Sequence, residues 1–322
     1  MRYPNRRVAA LTLVSPLLAS KAWTQDTFPS RPVRIVVPFA PGGASDTVTR
    51  VLGEELGRKW NQSVVIENKP GGNTVIATTQ VARSTPDGHS LLLATLAWVT
   101  NPLMEKSLPY ASDSLLPAGV IGYQPHVLYL RNTIQARNVR ELAEHVKRSG
   151  KPLSIGNAGT GSSPHLAAVD FASRSGIPVL HVPYKGMSAA LADAMGGQVD
   201  AFFEGPIYRQ IAQSGKINGF LVAQDTRIAS WPELASAPDA GLKGFTSSAW
   251  FALLVPSGTP KPVLAALSSS INAALSSPDV SKKLLDNGII PSPLSPAESA
   301  AFIDTQRRRL EPIIVMNRIA TE

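Results

Sequence analysis

Cysteine is absent from the 322 residues, and that gap alone excludes disulfides, thiol nucleophiles, thiolate metal sites and a lipid-anchored leader. Charge is scarce as well. At 17% against a typical ~25%, the charged residues describe neither a disordered chain nor a polyelectrolyte. Catalytic signatures are missing too: no G-x-S-x-G elbow, no G-x-x-x-x-G-K-[ST] loop and no H-E-x-x-H pair occurs. The five histidines, at positions 89, 126, 145, 165 and 181, have no close metal-ligand spacing. The nearest thing to a dinucleotide fingerprint, Gly159-Thr160-Gly161 followed by Ser-Ser-Pro, lacks the third glycine and comes late in the chain. These gaps argue against an enzyme and against a bound metal or cofactor.

The net charge of +8 points superficially to nucleic acid, yet Arg2, Arg6, Arg7 and Lys21 fall in the first 22 positions with no acid, and without them the balance is +4. No Lys/Arg cluster alternates with aromatics, and Arg307, Arg308 and Arg309 read as the solvated face of a helix, so no nucleic-acid partner is expected. The early arginines instead precede an apolar run from Val8 to Ala19, and Ser20-Lys21-Ala22 supplies the small residues of a cleavage site. This predicts export with cleavage near Ala22. The run is short of the ~20 residues of a permanent span and is interrupted by Pro16.

The most informative segment lies between Val33 and Asp46, where VRIVVPF breaks into PGG and opens a helix-like stretch. Such a junction aims unpaired N–H groups and the positive end of a helix dipole at whatever fills the turn. Small residues let a ligand come close to the backbone there. The same device recurs where Leu153–Ile155 breaks into GNAGTGSSP before a second helix pattern. Two junctions facing each other would grip a small carboxylate from both ends. Elsewhere short β-rich runs alternate with helical patterns, as in parallel sheets with crossover helices, and three helices close the chain from Lys261 to about Met316. At 322 residues, about two domains are expected.

The order RPVRIVVPFAPGGASD, VVIENKPGGN, PDGHSLLLAT, GNAGTGSSPHLA, HVPYKG, GGQVDAFFE and SSAWFALLVPSGTP resembles, from about Phe28 to the C-terminus, the Bug (TctC) family of periplasmic solute-binding proteins. The resemblance implies an α/β protein of the periplasmic binding protein type II fold: two α/β domains joined by two crossover hinge strands around a ligand cleft. Domain 1 would comprise residues 23–125 and 252–322, domain 2 residues 126–251, after a signal peptide of residues 1–22. It also implies a free monomer in the periplasm, partnered by membrane transport subunits or, alternatively, by a sensor receptor. Hinge closure around a ligand is the expected motion.

On this reading one ligand carboxylate sits on backbone N–H groups of Phe39, Ala40, Gly42, Gly43, Ala44 and Asp46, and the other polar end meets Ala158, Gly159, Thr160, Ser162 and Ser163. Thr95, Trp98, His165, Tyr184, Lys185 and Glu204 complete the expected set. Plainer roles stand beside several of these. Ser45 or Asp46 equally serves as a helix cap, as do Ser162 and Ser163; His165 suits a packing or surface position, and Lys185 a solvated turn. The chain departs from the family in three places. Glu204-Gly205 stands where relatives often carry Asp-Asn, Leu96 and Trp98 stand where small hydroxyl residues and glycine are usual, and ENKPGGN is abbreviated. Leu96 and Trp98 suggest a smaller or more apolar cleft, suited to a ligand with an apolar or aromatic body.

Overall fold

In the structure, a computed structural model, residues 28–316 and Ile319 are described. The expected leader, residues 1–22, lies outside them. The first sheet is built from β1 (Val33–Val37), β2 (Val64–Asn68), β3 (Ser90–Ala94), β4 (Leu115–Pro125), β10 (Ser248–Pro256) and β11 (Ile290–Pro291), in the order β11-β4-β10-β3-β1-β2. The second contains β5 (Val127–Arg131), β6 (Leu153–Asn157), β7 (Val179–Pro183), β8 (Ala201–Glu204) and β9 (Ile217–Val222), in the order β7-β6-β8-β5-β9. Both sheets are mixed. β2, β1 and β3 run parallel, as do β7, β6 and β8, but β10, β4 and β11 pair antiparallel, and β5 is antiparallel to both its neighbours. The parallel reading holds for β2, β1 and β3 and for β7, β6 and β8, while the remaining strands join the sheets antiparallel.

Strand alternation assigns each sheet two faces. In the first, Val33, Ile35 and Val37 with Leu91, Leu93, Phe251 and Leu253 pack under α1 (Ala44–Trp60), α8 (Lys261–Leu275) and α9 (Pro278–Asp286). Val36, Leu92, Trp250 and Leu254 face α2 (Val75–Ala82), α3 (Ala97–Met104) and α10 (Pro296–Met316). In the second, Leu128, Leu130 and Phe203 meet α4 (Val139–Ser149) and α5 (Ser163–Ser175), while Val127, Tyr129 and Phe202 meet α6 (Met187–Met195) and the turn around Tyr208 that leads into α7 (Arg209–Gln213).

Each lobe is therefore a sheet covered on both faces, the arrangement that right-handed crossovers impose. Local chemistry sets the helix ends. Asn138 caps α4 by accepting from the Glu141 N–H at 3.0 Å, and Gly150, at φ 64°, ends it in the left-handed region.

The chain crosses between lobes twice. β4 ends at Pro125 and β5 begins at Val127, so His126 alone separates them, and its N–H donates to Ser247 O at 3.0 Å on the returning strand. β10 then pairs with β4 from Ser248 onward.

Candidate functional site

α1 and α5 each begin just beyond the carboxyl end of a parallel strand, the position at which α/β sheets bind ligands. Gly43 is the N-cap of α1 and Ser162 that of α5, both extended and neither making a side-chain cap bond. Between the two helix starts lies a narrow cavity of about 490 Å³, its mouth included. Phe39, Ala40, Gly43, Ala44 and Ser45 line it from the α1 side, and Ala158, Ser162, Ser163 and Pro164 from the α5 side. Thr95, His126, Met187, Glu204, Ala249 and Phe251 close it.

Hydrogen bonds span the cleft around this cavity. Asn73 Nδ2 donates to Thr160 O at 2.6 Å and Thr100 Oγ1 to Gly161 O at 2.9 Å. Ser188 Oγ donates to Pro41 O at 2.9 Å, Tyr208 OH to Gly42 O at 3.2 Å, and the Ala40 N–H to Lys185 O at 3.3 Å. Glu204, at the end of β8, is buried; its carboxylate accepts from the Gly205 N–H at 2.9 Å and faces the start of α1 across the cleft, with Oε2 3.9 Å from where a Cβ on Gly43 would stand. Burial pushes its carboxyl up to about 7, with the backbone N–H groups of Gly205 and Ala44 pulling the other way.

Two histidines beside the site are held below the ordinary imidazole range. Burial holds His126 down to about 3, and burial with the nearby His181 holds His165 to about 4. Among the described residues, no group of three or more His, Asp or Glu could hold a metal, and no helix is long and apolar enough to cross a membrane.

Of the seventeen expected site residues, Phe39, Ala40, Gly43, Ala44, Thr95, Ala158, Ser162, Ser163 and Glu204 line the cavity together. The others stand apart from it, each for a visible reason. Trp98 is buried in the first lobe and stacks on Tyr110, with ring centroids 5.7 Å apart, because it rides on α3, which packs against the sheet. The apolar walls expected of Leu96 and Trp98 come instead from Phe39, Met187, Ala249 and Phe251.

Asp46 turns back into its own lobe. Burial would raise its carboxyl, but hydrogen bonds from Arg50, Asn68 and the Gly42 N–H outweigh that and hold it below its ordinary value. Neither Ser45 nor Asp46 is the helix cap. Tyr184 donates to Asp193 at 2.8 Å within its lobe, and Lys185 is exposed, touching the other lobe through its carbonyl only. His165 accepts the Gly161 N–H at 3.1 Å and packs edge-on to His181. Gly42 and Thr160 supply carbonyls to cross-lobe bonds rather than donors to the cavity, and Gly159 packs beside Asn73.

Six lining residues were not expected: Ser45, His126, Pro164, Met187, Ala249 and Phe251. Ser45 and Pro164 adjoin expected positions. His126 and Phe251 reach the cavity only because the two crossings bring them there.

A sequence model of the family described as "Tripartite tricarboxylate transporter family receptor" (TctC) matches residues 48–318. The chain is 33% identical over 311 residues to a UPF0065 protein of Bordetella pertussis, covering 96% of this chain and 95% of that one. Among solved structures it is similar to the periplasmic binding protein BugD, with 33% identity, a TM-score of 0.86 and coverage of 92% of this chain and 100% of that one. It is also similar to MatC from Rhodopseudomonas palustris with bound malate, with 30% identity, a TM-score of 0.82 and coverage of 89% and 100%.

Proposed function

That the chain belongs to the TctC, or Bug, family of solute-binding receptors is the premise from which we propose that it captures a small carboxylated solute between its lobes and hands it to the membrane subunits of a tripartite tricarboxylate-type transporter. One observation carries the reading: two helix N-termini from different lobes converge on one cavity whose lining includes no lysine or arginine. Backbone donors and helix dipoles are then the means of holding an anion. Charge-assisted hydrogen bonds of roughly 1.5–3 kcal/mol each, less the cost of closing the lobes, reach about −8 kcal/mol, a micromolar dissociation constant.

The malate held by MatC is a carboxylate of the proposed kind. On this reading the protein is exported by its leader, acts in the periplasm as a monomer, and binds without chemistry. We divide the lobes at His126 and Ser247, because β10 pairs with β4 from Ser248 onward.

The test is a thermal-shift screen of mono-, di- and aromatic carboxylates, with isothermal titration of any that stabilise the protein. A Cβ at Gly43 would meet nothing nearer than Glu204 Oε2 at 3.9 Å, and φ there is −94°, so Gly43→Val fits the fold while filling the mouth of the site. It is expected to lose binding and keep its melting temperature. A folded variant of undiminished affinity, or a protein that no carboxylate stabilises, would refute the proposal.

A further inference from the structure

The two helix starts that face the cavity are not equivalent. At α1 the place a ligand would take is already faced by a carboxylate of the protein itself, that of Glu204, which reaches over from the opposite lobe and lines the cavity with Oε2 3.9 Å from where a Cβ on Gly43 would stand. At α5 the Ser162 hydroxyl lines the cavity, is only 3% exposed, and has no hydrogen-bond partner. A buried orphan hydroxyl at a helix N-terminus is a position at which an acceptor is wanted. One end of the cleft is filled and the other is open.

Glu204 is also fixed in place. The Gly205 N–H donates to its Oε1, and Tyr129 OH donates to Gly205 O at 2.9 Å. The Gln124 side chain lies so close to Gly205 that a Cβ there would fall 1.7 Å from Gln124 Cδ. The carboxyl therefore cannot swing away with its backbone.

Among the described residues that line the cavity, none carries a counter-charge. Glu204 is the single acid among the cavity-lining residues, none of which is lysine or arginine. The phenols of Tyr129 and Tyr208 are pushed up by burial and by Glu204, His126 is held neutral by burial, and Asp46 is turned toward Arg50 and Asn68. A second carboxylate brought to the α1 end would meet the oxygens of Glu204 with no cationic side chain in the cavity lining to offset the repulsion.

Resting on the carboxylate-binding reading above, we propose that Glu204 is a tethered occupant of the α1 end of the cleft. The ligand's carboxylate is then seated at the α5 N-terminus by Ser162, and the cleft selects solutes with one carboxylate and a neutral or cationic opposite end over dicarboxylates. Glu204 sets specificity, and the apolar walls of Phe39, Met187 and Phe251 accommodate the body of the ligand.

The test is isothermal titration at about pH 8 with matched pairs of probes: butanoate and succinate, hexanoate and adipate, benzoate and terephthalate, with 4-aminobutanoate as the cationic-ended member. In the wild type the single-carboxylate member of any pair that binds is expected to be favoured by roughly tenfold or more, the scale of one close like-charge contact. Glu204→Gln and Glu204→Ala should narrow or invert that ratio by improving the dicarboxylate roughly tenfold, and Ser162→Ala should weaken both members together.

Dicarboxylates that bind the wild type as tightly as their partners, or a ratio unmoved by Glu204→Gln, would overturn the proposal while leaving carboxylate binding intact. If no probe binds either the wild type or Glu204→Gln, the carboxylate-binding reading itself falls, and this proposal with it. Should both Glu204 variants fail to fold, the wild-type ratio decides alone.

Discussion

Replacing Glu204 by glutamine should change the pH dependence of stability in a direction that its surroundings determine. Burial raises the carboxyl from an ordinary value of 4.5 to about 7, and the N–H groups of Gly205 and Ala44 oppose that rise without cancelling it. Between those two values the fold keeps a proton that the unfolded chain has lost. Stability contributed by this site therefore falls as pH rises through the window, the cost being absent below about 4.5 and complete above about 7. At about 1.4 kcal/mol per tenfold change, the loss is about 3 kcal/mol in order of magnitude.

His126 and His165, held at about 3 and about 4, work with the opposite sign as pH rises toward 6.5, so the wild-type curve alone is ambiguous. Subtracting the Glu204→Gln curve removes their contribution. Urea unfolding of both proteins at intervals between about pH 4.5 and about pH 8.5 measures the difference. Wild-type stability relative to the variant is expected to fall steadily by about 3 kcal/mol across that range. A difference that stays flat would mean that the α1 dipole and backbone donors keep Glu204 ionised throughout, and the reasoning from burial would be wrong.

Two further substitutions test the packing that frames the cleft. Trp98→Ala should destabilise the protein by roughly 3–5 kcal/mol in chemical denaturation and leave ligand preference unchanged, since the indole is stacked on Tyr110 inside the first lobe. A change of preference at unaltered stability would return Trp98 to the ligand. Gly205→Ala should destabilise by about 3 kcal/mol or more, because its Cβ would overlap Gln124, and Gln124→Ala in the same chain should restore much of the loss. Additive effects of the two would show that they do not share the space.

What could be read from the residues follows the range over which each feature is determined. β1 and β6 are short runs of β-formers that break at glycine, β3 is an apolar run that follows Asp87-Gly88, and their positions are legible because those signals are local. β4 is not: Leu115–Pro125 contains Pro117, Gly119 and Gly122, has no apolar alternation, and is held between β10 and β11 by an antiparallel ladder whose register shifts twice. Gly122 belongs there because the Ile290 carbonyl comes within 2.3 Å of where a Cβ would stand. α3 was hidden for a related reason. Its Pro102 reads as a break, and Trp98, Val99, Thr100 and Asn101 are all buried, so it has no polar face and no helical stripe. That β10 runs antiparallel depends on the second crossing, which no periodicity encodes.

The site divides along the same line. Gly43-Ala44 and Ser162-Ser163 were accessible to reasoning because a strand, a tight turn and a helix start are contiguous in sequence. The diversion of Asp46 was within reach as well, since Arg50 stands four residues on, at the spacing of a helical ion pair. Glu204 differs from both.

As a departure from the family pattern it could be noticed, but its role depends on three segments that meet only in the fold. Gln124 fills the space that a side chain at position 205 would need, Tyr129 anchors the Gly205 carbonyl, and the start of α1 at Gly43 and Ala44 comes from the other lobe. Glutamate and glycine are thus a coupled pair: glycine lets the strand end press against Gln124, and the longer acid then spans the gap to α1. An acid one methylene shorter would be expected to leave the start of α1 open to a ligand. The proposed choice of solute therefore turns on the length of this one side chain.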